Sequence, residues 1–293
     1  MSEHVLVDRV GGREYRLVRR LGEGGFGEVY LAQVRTAGGL DQRVAVKLIL
    51  PDTDARADAV QRLRDEAAVL ARLHHPVILA AHDLVELDSR VALVTEYVEG
   101  QDLRECIKDK ADPIPLGALV EVLGQVAGAL EAAWTSHRIV HRDIKPANIR
   151  IGRHANVKLL DFGIAKSAET NVKTQADIVM GSLLYLAPER FDANRPAHPV
   201  ADVFALGCIL YERVAGVRLF NKVDAAQLYG LARSSEAFDA YVGRRLEVLP
   251  AGPARELARR TLTRDPELRI SASDLAAACD ALVRELPADQ TLR

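Results

Sequence analysis

Eight residues near the middle of the chain, His141-Arg142-Asp143-Ile144-Lys145-Pro146-Ala147-Asn148, bring together one carboxylate, three basic or titratable groups and an amide. A surface loop seldom needs that density. Asp161-Phe162-Gly163 follows thirteen residues after Asn148, and a polar stretch then leads to Ala187-Pro188-Glu189. Near the N-terminus, Gly22, Gly24 and Gly27 stand at G-x-G-x-x-G spacing, where missing side chains let backbone N–H groups approach a phosphate chain. The same three glycines would also suit a plain hairpin. A dinucleotide fold needs such a motif between a strand and a helix, whereas this one lies between two strands.

Val44-Ala45-Val46-Lys47 reads as a strand. Strand side chains alternate, so Ala45 and Lys47 share one face and Lys47 points toward the glycine loop. Glu66 is three residues after Leu63 and four before Leu70 in a helical pattern, which sets its carboxylate on or beside the apolar stripe. Left unpaired there it would cost about 3–5 kcal/mol. Lys47 is the candidate partner, and the alternative is a solvated Glu at the stripe's edge.

The elements that must position these groups are legible in outline. YRLVRRL, EVYLAQV and RVAVKLIL, between Tyr15 and Leu50, predict three strands separated by glycine-bearing turns. Leu63, Ala67, Leu70 and Leu73 predict a helix over Ala59–Leu73, and two more strands follow near Ile78–Leu87 and Arg90–Thr95. After Gly100 the pattern turns helical. Leu119 to Ala133 mark a long helix, Val203–Val214 a helix apolar on nearly every side, and Ala254–Thr263 and Ser271–Glu285 two more, the last opened by Ser271 and Asp274 as capping residues.

The 293 residues carry 39 Lys and Arg against 41 Asp and Glu, so no general electrostatic pull toward nucleic acid or anionic membrane is expected. Three cysteines without a CxxC pair argue against a disulfide framework or structural zinc and fit a reducing compartment. No stretch of 18 apolar residues or uninterrupted signal-like run occurs, and the reading is a soluble, cytoplasmic protein with no membrane partner.

Taken in order, these segments resemble the catalytic domain of the eukaryotic-type Ser/Thr protein kinases of bacteria. The resemblance runs from about Tyr15 to Leu286. It implies an α+β, bilobal protein-kinase fold: a small β-rich N-lobe with one long helix over residues 14–98 and a larger, mostly helical C-lobe over 99–287, with an N-terminal extension, 1–13, and a C-terminal tail, 288–293. It implies transfer of the γ-phosphate of ATP, with Mg²⁺ or Mn²⁺, to protein Ser and Thr hydroxyls. By the same resemblance, the Gly22–Gly27 loop covers the phosphates, Lys47 held by Glu66 contacts the α and β phosphates, and Asn148 and Asp161 hold the metal. Asp143 receives or orients the substrate hydroxyl proton. Lys145 steadies the γ-phosphate, and its place two residues after Asp143 is the Ser/Thr pattern.

The resemblance also implies a linker in which the Glu96 carbonyl and Val98 N–H meet adenine, with Thr95 as a small gatekeeper and Leu21, Val29 and Ala45 above the base. Asp102 matches a ribose contact or caps the next helix. Arg150 departs from the pattern, standing where many relatives place an apolar residue under adenine. Asp202 would hold the catalytic loop's backbone, with Phe204 in place of the usual Trp, and Glu189 and Arg269 match a buried ion pair. Arg142 would meet a phosphate on the segment Asp161–Glu189, with Thr174 as principal autophosphorylation site, then Thr170, with Ser167 a further candidate, while Ser182 lines the substrate site. Two rivals are a pseudokinase scaffold and a small-molecule kinase of aminoglycoside-phosphotransferase type. The motifs lack neither the lysine, the catalytic acid nor the metal ligands, and Lys145, Ala187-Pro188-Glu189 and Arg269 favour a protein substrate. Control by a regulatory partner protein or by a transient kinase dimer is expected.

Overall fold

The computed structural model describes residues 4–8, 11–24, 27–35, 41–49, 56–162, 181–192, 194–285 and 290–292. It divides into two compact units, residues 1–99 and 100–293.

The first unit is a six-stranded antiparallel sheet in the order β1-β2-β3-β4-β6-β5: β1 His4–Val7, β2 Glu14–Gly24, β3 Gly27–Arg35, β4 Asp41–Ile49, β5 Ala81–Leu87 and β6 Arg90–Glu96. One face builds the unit's core from Ala32, Val34, Val44, Val46, Leu48, Ala92 and Val94, joined by Leu6 and Tyr15. The register sets Val29 beside Lys47 beside Leu93, and Leu31 beside Ala45 beside Thr95. By strand alternation these six residues share the opposite face. The helix α1, Arg56–Leu70, contacts β4, β5 and β6 and buries Ala59, Leu63, Ala67 and Leu70. It starts and stops three residues before the periodicity predicts, because Ala71–Leu73 leave the helix in a turn.

Within the N-terminal extension, residues 4–7 form β1, which pairs with β2, places Leu6 at 0% exposure, and leads to a bridge between Asp8 and Leu87 that joins the sheet's two outer strands. Gly12, at φ +65°, makes the intervening turn. Gly11-Gly12 between two apolar stretches was the available hairpin signal.

The second unit is built around α3, Leu116–His137, and α4, Val200–Ala215. In α4 every residue from Val200 to Glu212 is buried, as its continuous apolar character demands. α5 Ala225–Arg233, α6 Ser235–Glu247, α7 Pro253–Thr261 and α8 Ala272–Glu285 complete the helical layer, α8 lying along α3. Ser271 Oγ accepts the N–H of Asp274 and so caps α8. Residues 290–292, expected as a tail, reach α3, where Leu292 N–H donates to Glu121 at 3.0 Å. Among the described residues, α3 is the single helix long and apolar enough to span a membrane, and 67% of its apolar window is buried.

Two features of this unit lacked a sequence signal strong enough to call: the helices α5 and α6, and a three-stranded sheet β7-β8-β9 formed by Gly100–Asp102, Ile149–Gly152 and Val157–Leu159; the helix expected after Asp102 is α2, Leu103–Lys108. That small sheet flanks the catalytic-loop candidates on both sides in sequence.

Candidate active site

In the first unit, Lys47 on β4 and Glu66 on α1 form a bidentate ion pair, with Nζ 2.9 and 3.2 Å from the two carboxylate oxygens. Glu66 is therefore not the solvated residue of the alternative reading, and its side chain is only 12% exposed. Gly22 pairs with Val29 and Gly24 with Gly27 in the β2–β3 hairpin, whose tip residues 25 and 26 lie outside the described residues. Gly27 has a steric reason to be glycine: a Cβ there would sit 2.3 Å from the Leu48 carbonyl oxygen. Leu21 lies at a register shift between Arg20 and Gly22 in β2 and is half-buried. Thr95 is buried and donates its hydroxyl to the Glu96 carbonyl at 3.3 Å, while the Glu96 carboxylate accepts from Ala80 N–H at 2.8 Å. Val98 is 8% exposed.

In the second unit the candidate residues of the 141–148 loop converge. Lys145 Nζ donates to Asp143 Oδ2 at 2.8 Å and to Ser182 Oγ at 3.1 Å. Asn148 Nδ2 donates to the Asp143 carbonyl at 2.8 Å and to its Oδ2 at 3.1 Å. With both amide hydrogens so directed, the Asn148 Oδ1 acceptor faces the other way. Leu160 N–H donates to the Asn148 carbonyl at 2.8 Å, so the residue preceding Asp161 is bonded to Asn148 itself. Pairing of Ile149 with Leu159 extends that junction into the β8–β9 ladder. An amide oxygen and a carboxylate on adjoining strand ends are hard donors of the kind Mg²⁺ or Mn²⁺ takes.

Two buried groups hold this loop. Asp202, at the start of α4, accepts the N–H of His141 at 2.8 Å and of Arg142 at 2.9 Å, one on each oxygen. Burial pushes its pKa up to about 7, against the pull of those two N–H donors and of the Arg190 and Arg142 charges. The bonds fix Arg142 at φ +69°, a conformation few non-glycine residues adopt. His141, fully buried, accepts Asp143 N–H on Nδ1 at 3.2 Å and sets Nε2 2.9 Å from the Leu160 carbonyl. That arrangement is satisfied by the neutral ring protonated on Nε2. His141 thus links the loop to the strand that precedes Asp161.

A profile of the protein kinase domain matches residues 15–278. The chain belongs to the protein kinase family. Among similar curated proteins, the tyrosine-protein kinase MasK of Myxococcus xanthus is 36% identical over 71% of this chain and 34% of its own length. The serine/threonine-protein kinase PrkC of Bacillus subtilis is 38% identical over 75% of this chain and 33% of its own, and PknA of Mycobacterium tuberculosis 38% over 75% and 50%. The chain spans about a third to a half of the length of these kinases.

The remaining expected residues fall as follows. Asp102 is committed to α2: Oδ1 accepts Glu105 N–H at 2.9 Å in a capping box, and Oδ2 accepts Arg104 at 3.0 Å. The capping reading therefore has the geometry, and any ribose contact would have to share that carboxylate. Arg150 donates to the Gly100 carbonyl at 2.5 Å. Arg269, its side chain fully buried, meets both oxygens of Glu189 at 2.6 and 3.0 Å. Arg142 is half-buried, and its Nε is buried with no hydrogen-bond partner; burial first, and the Arg190 charge second, push its pKa down. Tyr185 donates to Glu212, a buried pair the sequence reading missed. Ser167, Thr170 and Thr174 lie outside the described residues.

Proposed function

We propose that this chain is the catalytic domain of an ATP-dependent Ser/Thr protein kinase. The observation that carries the reading is the Asp143 carboxylate bonded by both Lys145 and Asn148, with Asn148 tied to the strand that delivers Asp161. The transferring phosphoryl group is highly anionic and needs little covalent help, so positioning and charge neutralisation are the work to be done. Asp143 takes or orients the proton of the attacking hydroxyl. Lys145, which bridges Asp143 and Ser182, would steady the γ-phosphate as it passes toward the acceptor. Lys47, held by Glu66, takes the α and β phosphates. Asn148 Oδ1 and the Asp161 carboxylate would hold Mg²⁺ or Mn²⁺, which supplies neutralisation of phosphate charge.

The base would be met by the Glu96 carbonyl and Val98 N–H, under Leu21, Val29 and Ala45 and beside Thr95. The reading extends to protein substrates, a cytoplasmic site of action, and control by a partner protein or transient kinase dimer. Autophosphorylation at Thr174, then Thr170 and Ser167, would give Arg142 the anion that its half-buried, incompletely bonded guanidinium suits.

The test is incubation with γ-labelled ATP, magnesium and a generic basic protein, followed by phosphoamino-acid analysis. Label on serine and threonine is expected. Label on tyrosine alone would move the acceptor class. No transfer to any protein, with ATP bound, would favour a scaffold, and transfer only to small alcohols a small-molecule kinase.

A further inference from the structure

Strands β7, β8 and β9 have three, four and three residues. Ladders so short supply few backbone hydrogen bonds, so a single side-chain bond is a large share of what holds them. Arg150 lies in the middle strand, two residues after Asn148, and pairs with Asp102 on one side and Lys158 on the other. Its guanidinium reaches two residues along β7 to the Gly100 carbonyl at 2.5 Å, a charge-assisted bond. The backbones there are already at closest approach: a Cβ on Gly100 would lie 2.0 Å from the Ile151 carbonyl oxygen.

We infer that Arg150 is a positioning residue for Asn148: its bond to Gly100 pins β8 to the start of the second unit and so fixes where the Asn148 amide oxygen stands. The chain of contact is continuous. Gly100 holds Arg150, and Arg150 is followed back along β8 through Ile149 to Asn148. Asn148 in turn bonds Asp143 through its side chain and Leu160 through its carbonyl. Lost tension at β8 therefore reaches the metal-ligand candidate before it reaches the proton-handling acid, which has Lys145 and the His141 bond of its own.

The functional consequence rests on the kinase reading, and two measurements keep the failures apart. Arg150→Met retains the aliphatic stem and removes the guanidinium. Amide hydrogen exchange at Leu160, whose N–H is bonded to Asn148, should then quicken about tenfold, the order expected for one lost charge-assisted bond; unchanged exchange there overturns the inference whatever the nucleotide data show. ADP is then titrated with magnesium and with EDTA. The variant should lose about tenfold of the magnesium-dependent gain in ADP affinity, read as the ratio of the affinities with and without magnesium, and Arg150→Lys should restore part of the gain. An unaltered gain overturns the positioning role. Equal weakening with and without magnesium does so too, since the arginine would then act on the base alone. A wild-type chain that binds no ADP fails the kinase reading, and the exchange result still decides whether Arg150 positions Asn148. Should Arg150→Met not yield folded protein, Arg150→Gln carries the same comparisons.

Discussion

Arg269 offers the sharpest energetic test, because its guanidinium has five N–H donors and each has a partner. Nε donates to the Thr263 carbonyl at 2.8 Å, Nη1 to Glu189 at 2.6 Å and the Val200 carbonyl at 2.8 Å, and Nη2 to Glu189 and the Arg264 carbonyl, both at 3.0 Å. The cation also lies 5.1 Å from the centre of the Phe204 ring, the residue standing where the family has Trp. Arg269→Met keeps the volume of the stem and removes every donor. Three carbonyls and a carboxylate only 8% exposed are left behind. Breaking a buried pair from one side costs about 3–5 kcal/mol, and the double variant Arg269→Met, Glu189→Met, which removes both charges, should recover part of that loss. Trp134, the one tryptophan in the chain, lies in the same unit and reports its unfolding by fluorescence in urea. Single and double variants together form a cycle. A loss under about 1 kcal/mol for Arg269→Met, or a double variant whose cost equals the sum of the singles, would refute the claim that the pair is buried and coupled.

Other outcomes are expected. Asp143→Asn should leave folding intact by circular dichroism and lower phosphate transfer by about 10²-fold or more; Lys47→Met should keep the native circular dichroism, lose about 3–5 kcal/mol of stability because Glu66 is left unpaired, and lower transfer steeply; unchanged turnover in either would remove that residue from the mechanism. Asp202→Ala frees the N–H groups of His141 and Arg142, so it should cost about 2–6 kcal/mol in denaturation and depress activity, whereas a neutral result would show that the loop keeps its shape unaided. Leu6→Ala should cost about 2–5 kcal/mol if β1 belongs to the core, and nothing measurable if residues 1–13 were only an extension. Peptide mapping after incubation with Mg-ATP should place phosphate on Thr174 first, and phosphate found only outside residues 167–182 would contradict the assignment to that segment.

The contrast between what the chain announces and what it conceals has a physical basis. Long elements such as α1 and α3 declare themselves because periodicity over four or more turns accumulates signal, and α4 does so by its continuous apolar run. Lys47 and Glu66 could be matched in advance since alternation on a strand and spacing on a helix fix where each side chain points. β1 and the β7-β8-β9 sheet stayed hidden: each strand is three or four residues long, and partners distant in sequence, such as Gly100 and Gly152, hold most of them. Asp102 was ambiguous for a different reason, because one carboxylate can cap a helix or meet a sugar and local sequence is the same in both cases. The roles of His141 and Arg150 needed coordinates. Their partners, the Leu160 and Gly100 carbonyls, are backbone atoms that carry no residue-type signature.

The central claim is that residues from two strand ends share one divalent ion on the path of a phosphate. A crystal structure with magnesium and a non-hydrolysable ATP analogue tests it directly. The account predicts one cation bonded by Asn148 Oδ1 and an Asp161 carboxylate oxygen at about 2.0–2.1 Å each, with the γ-phosphate between Lys145 and Asp143. A cation held by neither residue, or a nucleotide bound with its phosphates away from Asp143, would contradict it.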